Sequence, residues 1–451
     1  MLATLTIARN ALTESLRQPI FLVIILLCGL LEYLTTAAAG FSMGYNNLSG
    51  EVTGDDKLLL ELGLSTVFIC GIVLAAFVAT NTISEEIENK TVLTIVSKPV
   101  SRASVVVGKY LGVSVAMLIG ITIMVLSLMF AIQHGVMSTA ADDVDWPIIL
   151  FGGLALLLSL GLASFGNFMY GWSFPQTAVL TLLPLTILAY VLSVFFTPDW
   201  EIQSPAEEFK PQVTLAALSI AVALLVMTSV AVAASTRLGQ VMTIVACLGV
   251  LVLGLLTNHF LGRHAFLNEP FGSIATSTPV EPTHDGLRRV GDEYRIRLEV
   301  ASEREIRVGD PFYFAPAPNG VGMVTPGFDA PAEGTDLSRD VFGQEVAPAL
   351  VVTRVEGSTL TVRQVGRTAV PISRAPERGD WCFTEPQETR PVALVAWALV
   401  PNMHAFWLVD AVTQVNPIPA SHFALVLLYA GGQIVVFLGA AVLLFQDRDM
   451  G

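Results

Sequence analysis

The sequence predicts a mainly helical, polytopic membrane protein of about eight transmembrane helices, with a small external β-barrel or β-sandwich domain inserted before the last of them. Three observations predict it. The 451 residues are 53% hydrophobic and only 14% charged, where soluble chains carry roughly 25% charged residues. The apolar residues gather in long runs, each close to the ~20 residues that cross ~30 Å of hydrocarbon. Between 263 and 391 the apolar runs shorten to strand length, and Pro, Gly and Asp multiply.

Residues 1–18 read as a helix lying on the cytoplasmic interface, with Leu2, Leu5, Leu12 and Leu16 on one side and Pro19 separating it from the first span. Arg17, the apolar stretch 21–31 and the small residues 37–39 imitate a secretory signal. Glu32 interrupts that stretch and the cleavage point would lie late, so an uncleaved span is expected. Residues 19–262 form the transmembrane domain. Its spans are expected near 20–40, 62–82, 105–131, 148–170, 177–197, 212–234 and 240–261, with a kink at Pro184. The last span is expected over 420–445, within a segment 420–451 that ends in a cytoplasmic tail.

Orientation follows from Lys and Arg near the span ends. Arg9, Arg17, Lys90, Lys98, Arg102, Lys109, Arg237 and Arg448 mark one side. The other holds Asp55, Asp56 and Lys57, then Asp142, Asp143 and Asp145, then Glu201, Glu207, Glu208 and Lys210. Both termini are expected in the cytoplasm of a cell with this chain in its inner (cytoplasmic) membrane, and 263–391 outside.

Within 263–391, residues 294–300 alternate, with Tyr294, Ile296, Leu298 and Val300 on one face and Arg295, Arg297 and Glu299 on the other. Residues 349–355 and 359–365 read as a hairpin about Gly357-Ser358. Short strands are expected at 311–315, 320–325 and 381–384, and a long polar loop at 326–344. The basic residues of this domain are all Arg. They suit either ordinary surface charge interleaved with acid, the expected reading, or contact with a lipid headgroup or polyanion. Residues 392–419, broken by prolines, read as outer interfacial helices with Trp397, Phe406 and Trp407 at headgroup level.

Other classes find little support. A net charge of −14 is a poor footprint for nucleic acid. Cys28, Cys70, Cys247 and Cys382 form no CxxC pair or disulfide framework. The histidines match no metal spacing, so no metal site is expected. HExxH is absent, and GLASFG at 161–166 misses G-x-S-x-G by one residue. Glu32, in the outer half of the first span, is an intramembrane polar candidate or a side chain that snorkels to the interface. Gly71, Ala75 and Ala79 form a small-xxx-small row for close helix packing, within the chain or across a dimer.

The most informative segment is 83–112, ISEEIENKTVLTIVSKPVSRASVVVGKYLG. Ser84 is expected to cap a short helix whose first turn carries Glu85, Glu86 and Glu88. Pro99 ends that helix and Ser101 opens the next, with Arg102 and Lys109 near the membrane surface. A short charged helix held by two spans can pass force between a cytoplasmic partner and the bilayer.

This segment resembles the permeases of the ABC-2 class of ABC transporters. The matching residues are Glu86, Thr91, Lys98, Pro99, Val100, Ser101, Arg102, Gly108 and Lys109; Lys90 stands where the family usually has Gly. The ending, with Pro401-Asn402 and then Phe445 followed by Arg448-Asp449, is similar too. The resemblance covers the first three spans and the last, and the family core of six spans is exceeded here. It implies a permease subunit, an exporter, whose interfacial helix and coupling loop 83–104 dock on a separate P-loop ATPase, present in two copies. Glu85, Glu86, Glu88, Lys90, Thr91, Lys98, Pro99, Arg102 and Lys109 would form the coupling element. A second permease subunit, identical or not, and membrane lipid are the other implied partners. The chain has no G-x-x-x-x-G-K-[ST], since Tyr110 follows Gly108-Lys109. ATP and Mg would therefore sit on the partner, and no cofactor on this chain. A non-transporting anchor that presents the β-domain is the alternative reading.

Overall fold

A computed structural model describes residues 2–39, 54–88, 101–135, 144–281, 287, 291–300, 304–325, 327, 349–365, 374–409, 412, 418 and 420–446. The chain divides into two compact units, Met1–Leu255 with Pro401–Gly451, and Leu256–Val400.

The first unit is helical. An N-terminal helix α1 (Leu2–Arg17) precedes α2 (Pro19–Ala39), α3 (Gly54–Glu88), α4 (Arg102–His134), α5 (Trp146–Tyr170), α6 (Phe174–Ser193), α7 (Pro211–Ser235) and α8 (Gln240–Thr257). The chain's last long helix, α10, spans Ala420–Gln446. Among the described residues, 8 helices are long and apolar enough to cross a membrane. They coincide with the eight expected spans. The ends follow local chemistry. Asp145 caps α5 by accepting from Ile148 N–H at 3.1 Å, and Gly171 closes it in the left-handed region at φ 65°. Prolines occupy the first turns of α5, α6 and α7, where no backbone donor is lost. The path of α6 continues through Pro184 as one helix.

One expectation is corrected here. Ser84 does not cap a new helix, because α3 runs through it for 35 residues to Glu88. No Gly or Pro interrupts 72–88, and extending a helix costs less than nucleating another. Glu85, Glu86 and Glu88 thus lie in the last turn of α3 instead of a first turn. At about 1.5 Å per residue, α3 exceeds the hydrocarbon thickness and projects beyond it. Along α1, Leu5 is exposed, whereas Ala11, Ser15 and Leu16 are buried.

The most enclosed helices are α3 and α7. Their interface accommodates the small residues: Ala75 and Ala79 are buried, and a Cβ on Gly71 would lie 2.5 Å from Leu224 Cδ1 of α7. The row packs within the chain. Phe406 is buried in this unit's core, and its carbonyl accepts from Ser219 Oγ at 2.8 Å.

The second unit is a six-stranded antiparallel sheet curled into a half-barrel, with order β4-β7-β2-β3-β6-β5. The strands are β2 (Gly272–Pro279), β3 (Glu293–Leu298), β4 (Tyr313–Ala315), β5 (Ala349–Glu356), β6 (Thr359–Val365) and β7 (Trp381–Phe383). A separate two-stranded pair joins β1 (Phe266–Leu267) to β8 (Glu388–Thr389), followed by helix α9 (Pro391–Leu399). The hairpin β5–β6 and strands β3, β4 and β7 stand where the sequence predicts them. Residues 320–325 are turns instead of a strand, since Gly320 and Gly322 take φ 79° and 81°. Strand β2 is unannounced in the sequence: Ser and Thr fill it, and only Ile274 faces the core.

The half-barrel is built from two similar repeats. Each is a hairpin (β2–β3 or β5–β6) followed by Arg-x-x-x-x-Gly-Asp and a short strand: Arg304 to Asp310 before β4, Arg374 to Asp380 before β7. Gly309 and Gly379 both adopt positive φ, 103° and 89°. The Asp310 carboxylate accepts from Arg307 N–H at 2.8 Å, and that of Asp380 from Glu377 N–H at 2.9 Å. Each turn bonds the hairpin of the other repeat. Val352 N–H donates to Asp310 O at 3.0 Å and Ile274 N–H to Asp380 O at 2.8 Å. Register shifts follow Ile274 in β2 and Val352 in β5. Because β3 and β6 pair with Ile296 opposite Leu360, a pseudo-two-fold axis passes through that pair. The segment 309–312 bonds the outer edge of β5 while β4 bonds β7, so one stretch of chain joins the sheet's two edges.

Candidate functional site

The helix ends that flank the charged segment between α3 and α4 are anchored. Residues 89–100 lie outside the described residues, and with them Lys90, Thr91, Lys98 and Pro99. The flanks are described. Ser101 caps α4, its hydroxyl accepting from Ser104 N–H at 3.2 Å. One residue on, the guanidinium of Arg102 donates to Gln446 O at 2.7 Å and Phe445 O at 3.3 Å. Arg237, after α7, donates to Leu444 O at 2.9 Å. Two cations thus satisfy the orphan carbonyls at the C-terminal end of α10, where positive charge is favoured.

Lys109 lies about two turns further along α4 and is buried, 5% exposed. Its ammonium donates to the Thr82 carbonyl of α3. It ties the two helices together on either side of the charged segment. The same stretch of α4 receives α1: a Cβ on Gly108 would lie 2.9 Å from Thr4 O, and one on Gly112 would collide with Ala8 O. Only glycine at these positions lets the two backbones approach so closely. At its far end α1 is held by Arg17, whose Nε donates to Gln176 Oε1 at 2.9 Å. Helix α1 and the starts or ends of α3, α4, α6 and α10 thus form one connected framework among the described residues.

The parts played by Gly112, Arg237 and Gln176 were missed in the sequence. A signal existed for Gly112, since Gly108 and Gly112 repeat the four-residue spacing of Gly71, Ala75 and Ala79. Arg237 and Gln176 carry none, because their partners are distant in sequence.

Glu32 does not reach the interface. It is 1% exposed; Oε1 accepts from Cys28 Sγ at 3.5 Å, and Oε2 is buried without a partner among the described residues. Snorkelling is therefore set aside. The structure does not bring Glu32 together with the charged segment.

Residues 5–166 match the family model described as ABC-2 family transporter protein. The match takes in α1, the charged segment and helices α2 to α5. Over these residues the chain is similar to the ABC-2 transporter family, and among the described residues the chain has eight helices long and apolar enough to cross a membrane. No curated protein and no solved structure matched the chain.

Proposed function

We propose that this chain is the membrane-spanning subunit of an ABC transporter, working as an exporter and driven by a separate ATP-binding subunit. Two ATPase copies and a second permease subunit would complete the assembly, with ATP and Mg held by the ATPases. Both termini are then cytoplasmic and the β unit outside.

The observation that carries this reading is the anchored framework around the charged segment. Glutamates in the last turn of α3 lie at the helix end that disfavours negative charge, so a basic partner docked there relieves them. Motion imposed on the segment passes to α3 through Lys109, to α1 through Gly108 and Gly112, and to the last span through Arg102.

Charge reversal tests the docking. The double variant Glu86→Lys, Lys98→Glu is expected to abolish recovery of a P-loop ATPase with the purified chain while its thermal unfolding stays unchanged. Undiminished recovery would overturn the reading in favour of a non-transporting anchor.

A further inference from the structure

The outward face of the half-barrel carries charge that its fold does not require. Arg295 and Arg297 stand exposed on β3, two residues apart and so about 7 Å along the strand. The register sets Thr278 and Thr361 on either side of Arg295, and Thr276 and Thr359 on either side of Arg297. Two parallel rows result, each hydroxyl–guanidinium–hydroxyl. Nearby cations are matched: Arg354 pairs with Glu356 at 3.8 Å, and Arg363 lies opposite Glu293. Neither Arg295 nor Arg297 has a hydrogen-bond or ion-pair partner among the described residues.

The internal repeat separates what folding needs from what it does not. The pseudo-two-fold that exchanges β3 and β6 carries Arg295 onto Thr359 and Arg297 onto Thr361. The second repeat builds the equivalent strand, with the equivalent register, from threonine. A guanidinium at these places therefore serves something other than the sheet.

We propose that this face docks on the anionic phospholipid headgroups of the membrane that carries the chain. A guanidinium offers parallel N–H donors to the two free oxygens of a phosphodiester, and the flanking hydroxyls add further donors. Size and tether select this occupant. Two cations and four hydroxyls fall far short of the roughly 1,000 Å² that a specific macromolecular interface needs. A contact so small is populated only when its partner is held close. The unit is entered from the span Gln240–Ala265 and left toward the span His422–Gln446, so a membrane surface is always within reach.

The test uses the full chain in nanodiscs of phosphatidylcholine, with or without phosphatidylglycerol, each lipid supplied in a photo-crosslinking form. Labelling of peptides from β3 and β6 is expected with phosphatidylglycerol only. It should fall about tenfold in Arg295→Thr, Arg297→Thr, a variant that copies the second repeat. Labelling of the unaltered chain should also fall as salt rises, which keeps the test alive should the variant fold poorly. Equal labelling by both lipids, no labelling of these strands, or insensitivity to salt and variant overturns the proposal. Loss of labelling on adding millimolar glycerol phosphate would reassign the face to a soluble phosphate ligand. No arm involves an ATPase, so the result is independent of the transport reading.

Discussion

Arg102 sits in the first turn of its own helix, the end that disfavours a cation. It is retained there by the C-terminal carbonyls of α10, which it shares with Arg237. Asp145 shows the converse compromise. Its carboxylate caps α5, yet burial pushes its pKa up, against the opposing effects of the Ile148 N–H and the nearby His134. A carboxyl raised in the folded state adds stability below its unfolded value and loses it as pH rises through the folded value. Asp145→Asn keeps an acceptor and does not titrate. Its melting temperature relative to the unaltered chain is thus expected to rise as the pH is raised from about 4, the ordinary carboxyl value, toward neutrality. Asp145→Ala, which also removes the cap, is expected to be about 1 kcal/mol less stable than Asp145→Asn at every pH, since neither side chain titrates. Thermal unfolding in nanodiscs across that range checks both; a pH-independent difference for Asn would refute the sign.

At the scale of elements, the join between α1 and α4 is the most specific feature. Gly112 faces a backbone oxygen with no room for a side chain. Gly112→Leu is expected to lift α1 from α4, an overpacking cost of about 2 kcal/mol. Cysteine placed at buried Ala11 reports it: protected from a maleimide in the parent chain, labelled in the variant. Protection in both would mean that α1 is held elsewhere. The span helices were legible because twenty apolar residues in lipid leave only one way to satisfy the backbone. The alternation of β3 was legible for the same kind of reason, one wet face and one dry. Strand β2 was not, since it earns its place by pairing between β3 and β7 rather than by apolar side chains. The end of α3 was misread because Ser84 and three glutamates spell a helix start, while the helix already running through them has no reason to stop.

For the whole molecule, the charge bias of the loops expects opposite sides for the β unit and the C-terminus. Reporter fusions after Gly286 and after Asp449 are expected to give opposite signals, and same-side signals would refute an eight-span topology. The repeat in the half-barrel was present in the sequence as Arg304-x-x-x-x-Gly309-Asp310 and Arg374-x-x-x-x-Gly379-Asp380. Two short matches 70 residues apart are weak until the hydrogen bonds of Asp310 and Asp380 show them doing the same work.

By itself the sequence determined the class, the eight spans, the inserted β unit and the charged segment that resembles a coupling loop. Each of these is written in local composition or in a short contiguous run. Only the tertiary structure decided that Lys109 is buried on Thr82, that Glu32 turns inward, that Arg102 and Arg237 hold the last span, and that the half-barrel is two repeats about one axis. Those facts depend on which distant backbone groups come within hydrogen-bond reach, and directional bonds between residues far apart in the chain leave no periodicity to read.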